Sequence, residues 1–120
     1  MKAFLLVFLG GGFGSMVRYG FSVWFTVSPV KGFPWPTFLA NAISCLVLGI
    51  VLKKMAPSYP HNTSGHWFLI TGFCGGFSTF STFSFEVLTL LRTGMPGIAL
   101  SYVLISLLVG IFGVWIGYWL

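Results

Sequence analysis

The chain has 120 residues, of which 57% are hydrophobic and only 6% are charged, with six Lys and Arg residues against a single acid. Its mean hydropathy is +0.98. A globular domain of this size cannot cover so much apolar surface with polar groups, so the composition excludes a water-soluble fold and predicts an integral membrane protein.

Four apolar runs in the chain each approach the roughly 20 residues that an α-helix needs to cross a bilayer. Short stretches that contain Pro, Gly and charged residues separate these runs. We therefore predict an all-α membrane protein that forms a single transmembrane domain over residues 1–120. Its four transmembrane helices are predicted at residues 2–25, 34–55, 67–91 and 96–120.

The first and last spans carry glycines at helical spacing. Gly10 and Gly14 lie four residues apart, as do Gly113 and Gly117, so each pair occupies one face of its helix. Small residues on one face allow two membrane helices to approach closely. No strand precedes the glycines of the first span and no lysine follows them, so they indicate helix packing rather than a phosphate-binding loop.

Neutral hydrogen-bonding side chains fill the interior of the second, third and fourth spans. Spacings of three or four residues place Asn41 with Ser44, and Tyr102 with Ser106, on common helix faces. Hydroxyl, amide and N–H donors suit an anion, whereas a cation pathway needs carboxylates or a ring of carbonyls. The side chains available for a continuous polar track are Thr37, Asn41, Ser44, Ser78, Thr79, Ser81, Thr82, Ser101, Tyr102 and Ser106.

The third span contains the least lipid-like segment of the chain, between Thr71 and Glu86. Three glycines and six hydroxyl side chains lie here, together with Phe80 and Phe83. Lipid tolerates a broken helix only where the break is buried in protein or lines a cavity. We predict such a break near the middle of the third helix, at Gly75 to Ser78. The two phenylalanines share a helix face, and their electropositive ring edges suit a small anion; an aromatic packing stripe is the alternative.

The basic residues give the chain no clear orientation in the membrane, because three lie on the side of the termini and three on the other. We predict dual topology and an antiparallel homodimer. Four closely packed helices leave little room for a polar path, so an ion pathway should lie between subunits. Weak bias in a singly oriented protein is the alternative. The two groups are Lys2, Lys53 and Lys54, against Arg18, Lys31 and Arg92.

A family resemblance rests chiefly on the third span. The segment from Gly72 to Ser84, GFCGGFSTFSTFS, closely resembles the signature G-x-x-G-G-x-[ST]-T-F-S-T-F of the small bacterial fluoride channels, the Fluc or CrcB family. Residues 11–19 resemble the glycine-rich first span of that family, which ends in Arg. The stretch from Thr37 to Asn41 resembles its T-L-x-x-N motif. Length and span count agree over essentially the whole chain.

The resemblance implies an antiparallel, dual-topology homodimer with two pores that exports fluoride passively across the bacterial cytoplasmic (inner) membrane. No enzymatic activity and no nucleic-acid partner are expected. The expected partners are a second copy of the chain, the fluoride ion and membrane lipid. The resemblance also implies a structural Na⁺ at the dimer centre, held by the backbone carbonyls of Gly75 and Ser78 from both subunits.

The resemblance further implies roles for individual side chains. Phe80 and Phe83 form an aromatic box along the ion path, and Asn41 coordinates fluoride beside it. Arg18 makes the vestibule electropositive, and Glu86 matches an acid near the pore to which no role is assigned. The other pore residues that the family implies are hydroxyl donors, namely Ser81, Thr82, Thr37, Tyr102 and Ser106.

Two other classes of membrane protein share some of these features. Small multidrug exporters also have four spans and dual topology, but proton-coupled cation export needs an acid in the first span, which has Arg18 and no acid. A structural or accessory membrane protein would use the glycines for helix packing alone. The chain departs from the fluoride-channel pattern at three places: Ser78 replaces threonine, Ser44 and Cys45 stand near a frequent glycine, and Gly110 replaces a serine.

Overall fold

The computed structural model of the chain describes residues 1–26, 32–55 and 63–120. Lys31, one of the basic residues compared above, lies outside these ranges. The described elements are all helical. In chain order they are α1 (Lys2–Thr26), α2 (Trp35–Met55), a π-helical segment (His66–Cys74), α3 (Gly75–Phe77), α4 (Phe80–Arg92) and α5 (Pro96–Trp119).

Four stretches among the described residues are long and apolar enough to cross a membrane, which confirms the predicted all-α fold with four spans. In the most apolar part of each stretch, between 11% and 22% of the residues are buried inside the chain. A single chain therefore leaves most of its apolar surface to lipid or to another protein. The stretches are Lys2–Phe25, Trp35–Met55, His66–Arg92 and Pro96–Trp119.

α1 packs against the π-helical segment and α3 at backbone-to-backbone distance. A Cβ atom built on Gly10 would collide with the carbonyl oxygen of Phe68, and one built on Gly14 would collide with that of Phe73. Any larger residue at either position would push the two helices apart. The packing role predicted for the first-span glycines is confirmed.

We expect Gly10→Val to destabilise the fold by about 1–3 kcal/mol, because added methyl groups in a close contact force the backbones to move. Thermal unfolding of the purified protein in detergent should show a lower midpoint. Gly12→Val is the matched control, since a Cβ atom at Gly12 meets nothing within 4 Å. Equal midpoints for the two variants would contradict the packing role of Gly10.

α2 and α5 form the second closely packed pair. A Cβ atom on Gly49 would collide with the carbonyl oxygen of Val114, and one on Gly117 would collide with the facing backbone of α2. Gly113, on the same face as Gly117, makes an ordinary contact, with its added Cβ 3.4 Å from the Cβ of Cys45. The small-residue face predicted on the last span therefore also packs against a helix.

A tight turn ends α4 and sets α5 beside it. Gly94 adopts a φ of 78°, and the N–H groups of Gly94 and Met95 donate to carbonyl oxygens in the last turn of α4, as in a Schellman motif. Pro96 begins α5, where its missing N–H removes no helical hydrogen bond. The turn brings the fully buried Tyr102 of α5 into a core cluster with Leu90 of α4.

The third span breaks at Ser78 and Thr79, where the backbone is extended. Ser78 has φ −78° and ψ 156°, and Thr79 has φ −151° and ψ 114°. The break was predicted at Gly75 to Ser78. That prediction was wrong for Gly75 and Gly76, because α3 continues the helix through both glycines. Gly76 is small for a different reason: a Cβ atom there would collide with the backbone of Gly11.

Candidate functional site

Asn41 on α2 binds the backbone at the break. Its Oδ1 accepts the N–H of Thr79 at 2.8 Å, and its Nδ2 donates to the carbonyl oxygen of Thr79 at 3.5 Å. One amide side chain thus contacts both backbone groups of an extended residue, whose N–H has no helical partner there. The predicted pore residue Asn41 is therefore attached to the break itself.

Thr79 also begins the second half of the span as the N-cap of α4. Its Oγ1 accepts the N–H of Thr82 at 3.3 Å and donates to Oγ1 of Thr82 at 3.0 Å. The Oγ of Ser81 lies 3.2 Å from the same Thr79 oxygen. The structure therefore brings the two predicted hydroxyl donors, Ser81 and Thr82, together around Thr79.

α2 holds the first half of the span as well. The buried Ser44 donates its hydroxyl to the carbonyl oxygen of Cys74 at 3.0 Å, and Ser78 donates its own hydroxyl to the same oxygen at 2.8 Å. Ser44 and Asn41 are three residues apart on one helix face. One face of α2 therefore binds the chain on both sides of the break.

The last carbonyl oxygens before the break lose their helical donors. In an α-helix each N–H donates to the carbonyl four residues earlier. Here the N–H of Thr79 donates to Asn41 rather than to Gly75, and that of Thr82 donates to Thr79 rather than to Ser78. The carbonyls of Gly75 and Ser78, which the resemblance assigns to Na⁺, are thus among those that the break releases. No cluster of three His, Cys, Asp or Glu side chains in the described part of the chain offers another metal site.

Arg18 on α1 reaches the third span next to the break. Its Nε donates to the carbonyl oxygen of Gly76 at 3.2 Å, and the Oγ of Ser15 donates to the same oxygen at 3.3 Å. The Arg18 side chain is half-buried. Its positive charge therefore lies beside the middle of the third span.

Phe80 and Phe83 lie on one face of α4, with their ring centroids 5.9 Å apart. The Phe83 ring is partly buried and packs on Tyr102, with a centroid distance of 4.9 Å. Phe80 is 80% exposed. Phe83 thus belongs partly to the packing of this chain, whereas the Phe80 ring is available to a contact outside it.

Glu86 is bound by hydroxyl groups from two other helices. Its Oε1 accepts from Oγ1 of Thr37 at 2.7 Å, and its Oε2 accepts from the hydroxyl of Tyr102 at 2.8 Å. Each hydroxyl has one proton to donate. Thr37 and Tyr102, predicted to extend the polar track, therefore donate to the carboxylate of Glu86 in this structure.

We expect Tyr102→Phe to lower the stability of the protein by about 1–3 kcal/mol, because an oxygen of the partly buried Glu86 loses its donor. The aromatic ring and its packing remain, so thermal unfolding in detergent isolates the hydroxyl. Tyr19→Phe is the control, since Tyr19 is 71% exposed. If both variants unfold at the wild-type temperature, the carboxylate does not depend on this bond.

An open groove of about 410 Å³ lies between α2, α4 and α5 on one side of the chain. Asn41 of α2, Phe80 and Phe83 of α4, and Ser106 of α5 line this central groove. The Oγ of Ser106 is buried and has no hydrogen-bond partner among the described residues. A buried hydroxyl without a partner costs about 1–3 kcal/mol, so an acceptor placed in the groove would be stabilised there.

The structure thus sorts the predicted site residues into separate groups. The central groove unites five of them, the carboxylate of Glu86 binds two more, and Arg18 contacts the break from α1. Sequence reasoning missed Ser15 and assigned no partner to Ser44. The only available signal was spacing, since Ser15 precedes Arg18 by three residues and Ser44 follows Asn41 by three.

Comparison with known proteins gives one consistent result. Residues 5–118 match the family model described as CrcB-like protein, Camphor Resistance (CrcB). A fluoride-specific ion channel FluC from Phocaeicola vulgatus is 39% identical over 120 residues, which cover 100% of this chain and 98% of that protein. A FluC from a strain of Thermus thermophilus is 40% identical, with 98% and 94% covered. A FluC from Pyrococcus horikoshii is 39% identical with the same coverage.

Proposed function

The chain belongs to the CrcB-like family, and from this premise we propose that it is a fluoride channel that exports the ion passively from the cytoplasm. Its relatives are named as ion channels, so the chain is placed among transport proteins and not among enzymes. Family membership and four membrane-length stretches make it a multi-pass membrane protein. We assign it to the bacterial cytoplasmic (inner) membrane.

The observation that carries this proposal is the chemistry of the central groove. The residues that line it include Asn41, which carries an amide, and Ser106, whose buried hydroxyl has no partner among the described residues, while Phe80 and Phe83 provide aromatic rings. Amide and hydroxyl protons bind an anion directly, and aromatic ring edges are electropositive. Among the described residues that line the groove there is no carboxylate. This combination favours a small anion over a cation.

Selectivity for fluoride follows, in this proposal, from replacement of its water shell. Fluoride enters a narrow pathway only if protein donors replace its hydration in steps. The Asn41 amide, the Ser106 hydroxyl and the ring edges of Phe80 and Phe83 are placed to do so within one groove. A constriction between aromatic rings disfavours the larger chloride ion. The half-buried charge of Arg18 reduces the cost of an anion in a medium of low dielectric.

We propose that the pore is completed by a second, antiparallel copy of the chain. The groove is open along one side, the Phe80 ring is 80% exposed beside it, and each span buries few residues within its own chain. The balanced distribution of Lys and Arg permits both orientations in the membrane. An antiparallel homodimer built in this way contains two equivalent pores.

A structural Na⁺ fits the oxygens that the break releases. Hard cations bind oxygen ligands, and the carbonyls of Gly75 and Ser78 have lost their helical donors. We propose that these carbonyls, contributed by both copies of the chain, hold the ion. The bound ion would supply a fixed positive charge close to the anion pathway.

Electrogenic efflux tests passive conduction directly. Vesicles that contain the purified protein and potassium fluoride should release fluoride only after the potassium ionophore valinomycin provides a path for the balancing charge. A proton-coupled cation exporter would release no fluoride, and neither would an accessory membrane protein. Fluoride release that needs no ionophore but requires a counter-transported ion would replace passive conduction by coupled exchange.

A further inference from the structure

We propose that Arg18 is a positioning residue of the cation site: it caps the first half of the broken span and thereby orients the carbonyl of Gly75. The inference rests on the proposed Na⁺ site. Its basis is a pair of hydrogen bonds. Nε of Arg18 donates to the carbonyl oxygen of Gly76 at 3.2 Å, and the hydroxyl of Ser15 donates to the same oxygen at 3.3 Å.

The end of a helix explains why a side-chain donor is suited to this position. The last carbonyls of a helix have no N–H partners, so a side-chain donor placed at one of them satisfies it. The helix formed by the π-helical segment and α3 ends at Phe77, so the carbonyl of Gly76 is one of these groups. α1 is closely packed beside the contact, because a Cβ atom on Gly14 would approach the nitrogen of Phe77 to 2.8 Å.

A second helix holds the same turn from another direction. The hydroxyl of Ser44 on α2 donates to the carbonyl oxygen of Cys74 at 3.0 Å, and Ser44 is buried. Successive carbonyls on a helix are separated by about 100° around its axis. The carbonyl oxygen of Gly75 therefore lies on a side of the helix that neither the Cys74 nor the Gly76 contact occupies, and Gly75 is exposed.

The two contacts therefore fix the peptide between them. Movement of the Gly75 carbonyl requires rotation of its neighbours, and these are bound from α1 and α2. Arg18 acts on the cation site through the Gly76 carbonyl and does not touch the cation. This role differs from the field that its charge creates in the vestibule, because it depends on the position of the donor rather than on the charge.

A matched series of variants separates the donor from the charge. Glutamine has the same number of bonds to its Nε2 as arginine has to Nε, so Arg18→Gln keeps a donor at that position and removes the charge. Arg18→Lys keeps the charge but moves its donor one bond further along the side chain. Arg18→Met removes both. The readout is the unfolding temperature of the detergent-solubilised protein in NaCl against N-methyl-D-glucamine chloride.

We expect Na⁺ to raise the unfolding temperature of the wild type. In Arg18→Gln the Na⁺ concentration for half-maximal stabilisation should remain within about threefold of the wild-type value. In Arg18→Met it should rise at least tenfold, about the cost of a carbonyl left without that donor. Ser44→Ala should also raise the Na⁺ concentration for half-maximal stabilisation. If Arg18→Met yields no folded protein, Arg18→Gln is compared with Arg18→Lys, and glutamine should retain the tighter response.

Two results would overturn the inference. One is that Arg18→Lys responds to Na⁺ like the wild type whereas Arg18→Gln does not respond, since the positive charge alone would then be sufficient for the cation site. The other is a wild-type protein whose unfolding temperature is the same in both salts. Fluoride efflux from vesicles is measured on the same preparations, so the two proposals fail separately. Wild-type efflux without an Na⁺ response overturns only the cation site and its cap, whereas an Na⁺ response without efflux overturns only the fluoride channel.

Discussion

Fluoride efflux is expected to fall about a hundredfold or more when Asn41 is replaced by alanine. The change removes an amide that lines the central groove and that binds both backbone groups of Thr79. The backbone N–H of Thr79 left without a partner costs about 1–3 kcal/mol, and 1.4 kcal/mol corresponds to a factor of ten. The extended conformation at the break, and with it the start of α4, loses its support.

Asn41→Asp separates conduction from folding. Aspartate keeps an acceptor for the N–H of Thr79 but loses the amide donor and adds a negative charge to the groove. We expect this variant to retain most of its thermal stability and to lose fluoride efflux, because like charge repels the permeating anion. Vesicle efflux and thermal unfolding measured together distinguish the two effects. Undiminished efflux in Asn41→Ala would contradict the assignment of Asn41 to the pathway.

Phe80→Ile is expected to reduce fluoride efflux at least tenfold while the protein remains folded. An aliphatic side chain preserves most of the apolar volume but has no electropositive ring edge. The same ring electrostatics contribute about 0.5–1.5 kcal/mol to a pair of aromatic rings. Because Phe80 is 80% exposed, little packing within the chain is lost. The measurement is initial efflux rate per unit of reconstituted protein.

Phe4→Ile is the matched control for this variant. Phe4 on α1 is 83% exposed, so its replacement changes a comparably accessible ring outside the central groove. It should conduct fluoride at the wild-type rate. Equal rates in the Phe80 and Phe4 variants would show that the aromatic ring beside the groove has no part in conduction, even if the protein is a fluoride channel.

Features of the fold that depend on residues close together in the sequence were predictable from the sequence. Hydropathy located the four spans, because a membrane helix satisfies its own backbone and needs only a long apolar run. Spacing alone paired Gly10 with Gly14, since small residues four apart always share a helix face. The common face of Asn41 and Ser44 on α2 was predictable for the same reason.

Partners that are distant in sequence were not predictable in this way. Thr37 and Glu86 are separated by 49 residues, and Asn41 and Thr79 by 38. Their hydrogen bonds exist only because helices cross at particular depths. The position of the break depended on these contacts too: Asn41 binds the extended Thr79, whereas the glycines expected to break the helix instead allow it to pack on α1. No residue pattern in His66–Cys74 distinguishes a π-helix from an α-helix.

Comparison of fluoride and chloride efflux from the same preparation of proteoliposomes is the most direct test of the proposed function. Vesicles loaded with equal concentrations of the two potassium salts are diluted into a medium free of both anions, and valinomycin starts the release. We expect rapid fluoride efflux and chloride release no faster than from protein-free vesicles. Equal release of both anions would contradict a fluoride-selective pathway, and release of neither from a correctly folded protein would contradict a channel.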